Sequence, residues 1–164
     1  MKNTNLETAV FAAGCFWGVQ YHMAKVKGVI STEVGYTGGH TQCPGYKQVC
    51  AGGTGHIEAI KVIFDKTVTG FEALAKLFFE IHDFTQTDGQ GPDIGRQYLS
   101  RVFYSDEGQK QTAQKLIDIL AAKGYKVATG LEPLQTFWPA EDYHQNYYAK
   151  KGAAPYCHAY TKRF

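Results

Sequence analysis

Between His56 and Phe64 the chain carries apolar residues on both faces of one segment, Ile57, Ala59 and Ile63 alternating with Ile60, Val62 and Phe64. A run this short and this rich in β-branched residues reads as a strand, and apolar character on both faces places it at the centre of a sheet. The rest of the chain must therefore supply flanking strands and elements that cover the sheet. Glu58 shares the second face with Ile60, Val62 and Phe64. Its carboxyl is either desolvated, which disfavours the charged form, or sits at the open end of the strand and is ordinary.

Flanking elements are legible on either side. Ala9, Val10 and Phe11 read as a short buried strand, and Phe16, Val19, Met23 and Val26 recur at helical spacing. Gly14 then falls at the turn, with Cys15 at or beside the helix N-terminus, where unpaired N–H groups and the dipole favour a thiolate. At an unperturbed pKa near 8.5 only about 3% of a thiol is ionised at neutral pH, and a depression of about 1.5 units makes half of it nucleophilic. Read alone, Cys15 is equally a small buried hydrophobe beside Phe16 and Trp17. Val29 to Tyr36 reads as a second strand.

The glycine-rich stretch from Thr37 to Gly55, holding Cys43, Tyr46 and Cys50, is expected to be a long loop, functional or simply a surface excursion. Thr69 and Glu72 form a capping-box pattern for a helix running towards His82, which reads as a partly buried helix-end residue. After a second loop, Tyr98 to Tyr104 reads as a strand and Ser105 as the cap of a helix stopped by Gly124. Tyr125 to Thr129 and Leu131 to Phe137 are expected as strands, and Pro139 to Lys150 as a short helix. Strand, helix, strand, strand, helix, strand, helix describes an α+β domain with a mixed sheet and helices packed on it.

The 164 residues suffice for one domain that buries roughly 70% of its unfolded surface without disulfides. Seventeen basic and 15 acidic residues, with no block of like charge, exclude nucleic acid and membrane surfaces as expected partners. Cys15, Cys43, Cys50 and Cys157 contain no CxxC pair and allow three disulfide connectivities if all are bridged. No apolar run approaches a transmembrane span. Ala12-Ala13-Gly14-Cys15 faintly resembles a lipoprotein cleavage site, but Glu7 and the short apolar run from Ala9 to Ala13 argue against a signal peptide, and a cytoplasmic chain is expected. Glycine-rich phosphate loops and zinc-protease His pairs are missing, and the spacing of Cys43, Cys50 and His56 matches no common zinc site.

Gly14-Cys15-Phe16-Trp17-Gly18 is the signature of the methionine sulfoxide reductase A family, which reduces the S epimer of methionine sulfoxide in peptides. Four further stretches resemble the same family in the same order: Tyr46 to Cys50, Gly55 to Glu58, Gln90 to Tyr98, and Ala140 to Gln145. The resemblance implies Cys15 as nucleophile on the sulfoxide sulfur and Glu58 as the acid that protonates its oxygen. It makes Tyr46 and Tyr98 donors to that oxygen, Phe16 and Trp17 the wall receiving the ε-methyl group, and Asp93 a residue positioning the methionine backbone. Cys157 is implied as the thiol that resolves a Cys15 sulfenic acid, with Cys50 or Cys43 as alternatives. A thioredoxin-type dithiol would restore the enzyme, with no metal or bound cofactor. The expected architecture is a ferredoxin-like plait of two layers, a single domain spanning 1–164 with a core over 6–150 and an irregular mobile tail over 151–164, acting as a monomer. A thiol peroxidase and a redox-sensing peptide-binding domain are the competing functions.

Overall fold

The computed structural model describes residues 5–153, 155 and 158–164. In chain order, β1 (Leu6–Ala13), α1 (Phe16–Met23), β2 (Val29–Thr37), α2 (Tyr46–Ala51), β3 (Ile57–Asp65) and α3 (Phe71–Glu80) are followed by a minimal hairpin of β4 (Gly89–Gln90) and β5 (Asp93–Ile94). Then come β6 (Ser100–Tyr104), α4 (Glu107–Ala122), β7 (Gly130–Pro133), β8 (Trp138–Pro139) and α5 (Tyr147–Lys151), with single 3-10 turns at Arg96–Tyr98 and Asp142–His144. The main sheet runs β7-β6-β1-β3-β2-β8. β3 lies between β1 and β2 and is antiparallel to both, while β6 and β7 are parallel, so the sheet is mixed and the protein an α+β fold.

The two faces of β3 differ. Ile60, Val62 and Phe64 join Phe11, Phe16, Val34, Leu74, Phe78 and Leu116 in the large core under α1, α3 and α4. Phe11 anchors it, stacked 5.7 Å from Phe71 and 5.2 Å from Phe78 between ring centres. On the other face Val10, Ala12, Ile57, Ala59 and Phe103 form a smaller cluster covered by Leu99, Leu134 and Phe137 from irregular chain. Glu58, on the parity of Ile60, thus faces the helix side.

Several local expectations are corrected. The glycine-rich stretch is not all loop: α2 forms within it, with Gln48 Oε1 accepting from the Gly45 N–H at 2.9 Å. α3 is capped by Gly70 rather than Thr69, with no side-chain cap, and Glu72 pairs instead with Lys115 on α4. Asp106, not Ser105, caps α4, its carboxylate accepting from Gln109 N at 2.8 Å, while Ser105 bonds the Gln109 side chain. Tyr125 to Thr129 is no strand, because β7 already forms the edge beside β6, and β7 stops at Pro133, which lacks the N–H a ladder needs. The expected helix from Pro139 is broken by Asn146, in the left-handed region at φ 55°, into a 3-10 turn and α5. His82 is buried rather than partly so.

Candidate active site

β1 ends at Ala13, and Gly14 turns the chain at φ +86°, which glycine adopts without strain. A Cβ at Gly14 would also lie 2.5 Å from Cβ of Gln90, so the β4–β5 hairpin packs directly on this turn. Cys15 follows at the N-cap of α1, partly exposed, with no side-chain capping bond. The free N–H of Phe16 at that terminus donates to Glu58 Oε1 at 3.2 Å. Glu58 is 1% exposed. Nucleophile candidate and acid candidate therefore share one helix N-terminus, the first placed by the turn and the second by the register of β3.

α2 and the Arg96–Tyr98 turn bring two hydroxyls to the same place. Burial raises the pKa of Tyr46, as do its hydrogen-bonded neighbour Cys50 and the nearby Glu58 carboxyl and Cys15 thiol. Burial raises that of Tyr98 too, with Glu58, Cys50, Tyr46 and Asp93 acting in the same direction. Both phenols thus stay protonated donors at any physiological pH. The electrostatic neighbours define the cluster: Cys15, Glu58, Tyr46, Tyr98 and Cys50, with Asp93 at its rim on β5. Tyr46 is also fixed through its backbone N–H, which donates to Glu141 Oε2 at 3.3 Å.

Phe16 is buried, 5.7 Å from the Tyr36 ring and 5.3 Å from His144. Trp17 is half-buried, its indole N–H donating to His144 Nδ1 at 2.9 Å and its ring stacked on Tyr147 at 3.8 Å. His144 is thereby the neutral Nε2–H tautomer; burial lowers its pKa, with Glu141 pulling the other way. Its Nε2 stands 3.9 Å from Glu141 Oε2. Burial pushes the Glu141 carboxyl up, but hydrogen bonds from backbone N–H groups and from the Tyr143 and Tyr36 hydroxyls hold it below the ordinary range. Gln145 clamps this segment to β2, receiving from Val34 N at 2.9 Å and donating to Val34 O at 2.9 Å.

A family model for peptide methionine sulfoxide reductase matches residues 7–164. The chain belongs to this family. It is similar to the peptide methionine sulfoxide reductase MsrA of Nautilia profundicola, 47% identical over 149 residues that cover 91% of this chain and 86% of the relative. Among solved structures it resembles Mxr1 of Saccharomyces cerevisiae in reduced form, with a TM-score of 0.89, 31% identity and coverage of 99% and 95% of the two chains. Methionine sulfoxide reductase A of Corynebacterium diphtheriae gives 0.82 and 32%, covering 92% of this chain and 77% of that one. Mxr1 in complex with Trx2 shares the fold at a TM-score of 0.64 and 23% identity, with coverage of 97% and 92%.

In this peptide methionine sulfoxide reductase family member, the residues singled out from the sequence divide by location. Cys15, Phe16, Trp17, Tyr46, Cys50, Glu58, Asp93 and Tyr98 lie around the α1 N-terminus. Cys43 is exposed, in a groove with Pro44, Trp138 and Glu141, and Cys157 lies outside the described residues. No disulfide joins Cys15, Cys43 and Cys50. Sequence reasoning assigned no role to Glu141, His144 or Tyr147, which build the back of the aromatic wall. The available signal was the stretch Ala140 to Gln145, one of those that resemble the family, which holds both Glu141 and His144.

Proposed function

We propose that this protein reduces methionine-S-sulfoxide, free or in proteins, to methionine and so repairs oxidised proteins. The observation that carries the reading is the convergence of Cys15, Glu58 and the two phenols on one helix N-terminus. The Cys15 sulfur attacks the sulfoxide sulfur, Glu58 gives its proton to the oxygen, and Tyr46 and Tyr98 donate hydrogen bonds to that same oxygen. Burial of Glu58 supports its acting as a protonated acid. Donors aimed at developing charge are worth about 3 kcal/mol each in comparable sites. Phe16 and Trp17 receive the methyl group, and Asp93 holds the methionine backbone. Exchanging methyl and oxygen would set the oxygen against the aromatic wall, which gives the S preference.

Oxygen transfer leaves methionine and a Cys15 sulfenic acid. Attack by the Cys157 thiol forms the S–S bond and expels the oxygen as water. An external dithiol of the thioredoxin type reduces that disulfide, its own two thiols becoming a disulfide; the complex of the relative Mxr1 with Trx2 supports this class of reductant. The cytoplasm, where such dithiols keep thiols reduced, suits the chain. No bound cofactor is needed, because the electrons come from the thiols. Strand order β6-β1-β3-β2 with α1 and α3 as crossovers supports a ferredoxin-like plait as the core of a single domain over residues 6–150, and a monomer suffices because every proposed group comes from one chain.

The test is single turnover. One equivalent of peptide methionine-S-sulfoxide, without reductant, should yield one methionine and one disulfide per protein, with the R epimer inert. Turnover of hydroperoxide in preference to the sulfoxide would make the protein a thiol peroxidase instead.

A further inference from the structure

Tyr46 is carried by a weakly anchored element. α2 has Val49 as its one buried residue, and Gly52 and Gly53 follow it at φ 83° and 88°. The chain enters α2 through Cys43 at φ 46°, a conformation that a residue with a Cβ keeps only where its surroundings impose it. As the first residue of α2, Tyr46 has an N–H with no acceptor inside the helix, and the N-cap Gly45 has no side chain to offer one. The acceptor comes from 95 residues further along the chain, where Glu141 Oε2 takes that N–H at 3.3 Å.

Glu141 itself sits on a fixed strap. Ala140 N donates to Val34 O at 2.9 Å, β8 pairs with Gly35 and Tyr36, and Gln145 closes on both backbone groups of Val34, so the segment from Trp138 to Gln145 is held along β2. Glu141 Oε1 accepts from the Tyr36 hydroxyl at 3.2 Å, and Oε2 accepts from that of Tyr143 at 3.0 Å. Burial opposes ionisation of the carboxyl and its hydrogen bonds outweigh it, so both oxygens accept at neutral pH. Tyr36 is fully buried and stands opposite Glu58 in the register of β2 and β3. One carboxylate therefore ties the start of α2 to the strand pair that carries the acid candidate.

We propose that Glu141 is a positioning residue for sulfoxide reduction, a role that rests on the proposed donation by Tyr46 to the sulfoxide oxygen. By accepting the Tyr46 N–H against the fixed edge of β2, it sets the Tyr46 hydroxyl where it can reach an oxygen held between Cys15 and Glu58. Glu141 acts through Tyr46 and not on the reacting atoms. Without that tie α2 can shift on its glycine flanks, and a catalytic group misplaced by about 1 Å can cost about 100-fold in rate.

A double-mutant cycle on single-turnover methionine formation, at saturating methionine-S-sulfoxide, tests the role before any disulfide forms. Tyr46→Phe should slow that turnover about 100-fold. Glu141→Ala should slow it about tenfold in the parent and less than about twofold in Tyr46→Phe, because the hydroxyl it positions is already gone. Glu141→Gln, which keeps the volume and one acceptor oxygen, should recover part of the rate, and it takes the place of Glu141→Ala in the cycle if that variant melts below the assay temperature. An equal fold-loss in both backgrounds would overturn the proposal, since Glu141 would then act on folding or, through His144, on the Trp17 wall. An unchanged rate in Glu141→Ala alone would overturn it too. Tyr46→Phe turning over at the parent's rate would instead remove Tyr46 from the reaction, and with it the reading on which the role of Glu141 rests.

Discussion

Cys15 and Glu58 meet at one helix terminus, and each makes a demand the other must tolerate. The N-cap position stabilises a thiolate, and a second negative charge at the same terminus would oppose it. Under the proposed role Glu58 is protonated, which removes that conflict, leaves its carbonyl oxygen to accept the Phe16 N–H and keeps the proton the leaving oxygen needs. Cys15→Ser is expected to abolish single-turnover methionine formation; measurable burst methionine would remove Cys15 from the chemistry. Glu58→Gln keeps the acceptor for Phe16 N but has no acid proton, so sulfoxide reduction should fall about 100-fold or more. A Glu58→Gln single-turnover rate equal to the parent's in stopped flow would place the proton donor elsewhere. Both residues were legible because local rules place them, a glycine turn between strand and helix for Cys15 and strand alternation for Glu58. His144 was not, since its bond to the Trp17 indole spans 127 residues of sequence that no periodicity connects.

At the level of elements, the strands β1, β2, β3 and β6 and the helices α1, α3 and α4 follow from hydrophobic repeats, because each buries one coherent face. Elements held by a few side-chain contacts escaped: α2 has Val49 as its one buried residue, and β8 is two residues long. These weak elements carry Tyr46 and pack near Cys43, so the part of the site hardest to read is the part built from loops. The β4–β5 hairpin is another such element, seated on Gly14. Gly14→Ala forces a side chain into φ +86° and against Gln90, at a cost of about 1–3 kcal/mol. Calorimetry should show a melting temperature lowered by roughly 3–10 °C. The displaced hairpin carries Asp93, so KM for a peptide sulfoxide should rise more than kcat falls. Unchanged melting and KM would mean that the hairpin is not held by this contact.

Across the whole molecule the described C-terminal residues close the structure, with Phe164 6.3 Å from Phe79 and Arg163 over Phe84 and Tyr125. Sequence alone set this segment apart as an irregular tail, because Gly152 and Pro155 interrupt any repeat and its anchors are single side chains. Beneath it lies His82, whose Nδ1 contacts Phe78 O at 2.5 Å and whose Nε2 contacts Ser100 Oγ at 2.8 Å, with Thr129 Oγ1 a further 2.7 Å from that hydroxyl. A backbone carbonyl accepts only, so Nδ1 donates and Nε2 accepts, which requires the neutral ring. Burial lowers the His82 pKa to about 3, against which the Phe78 carbonyl acts only in part. Between pH 6.5 and 3 the unfolded chain therefore binds a proton that the native chain does not, and stability is fully present above pH 6.5 and lost as pH falls. Burial lowers the pKa of His22 and His144 as well, so they act with the same sign. Well below pH 6.5 His82 contributes up to about 1.4 kcal/mol of lost stability per pH unit until its own folded-state pKa is reached. Urea unfolding at pH 7, 6 and 5 should give midpoints that fall with pH before most carboxylates titrate. His82→Gln should lower stability at pH 7 and flatten that slope, and an equal slope in both proteins would mean that the buried imidazole does not govern it.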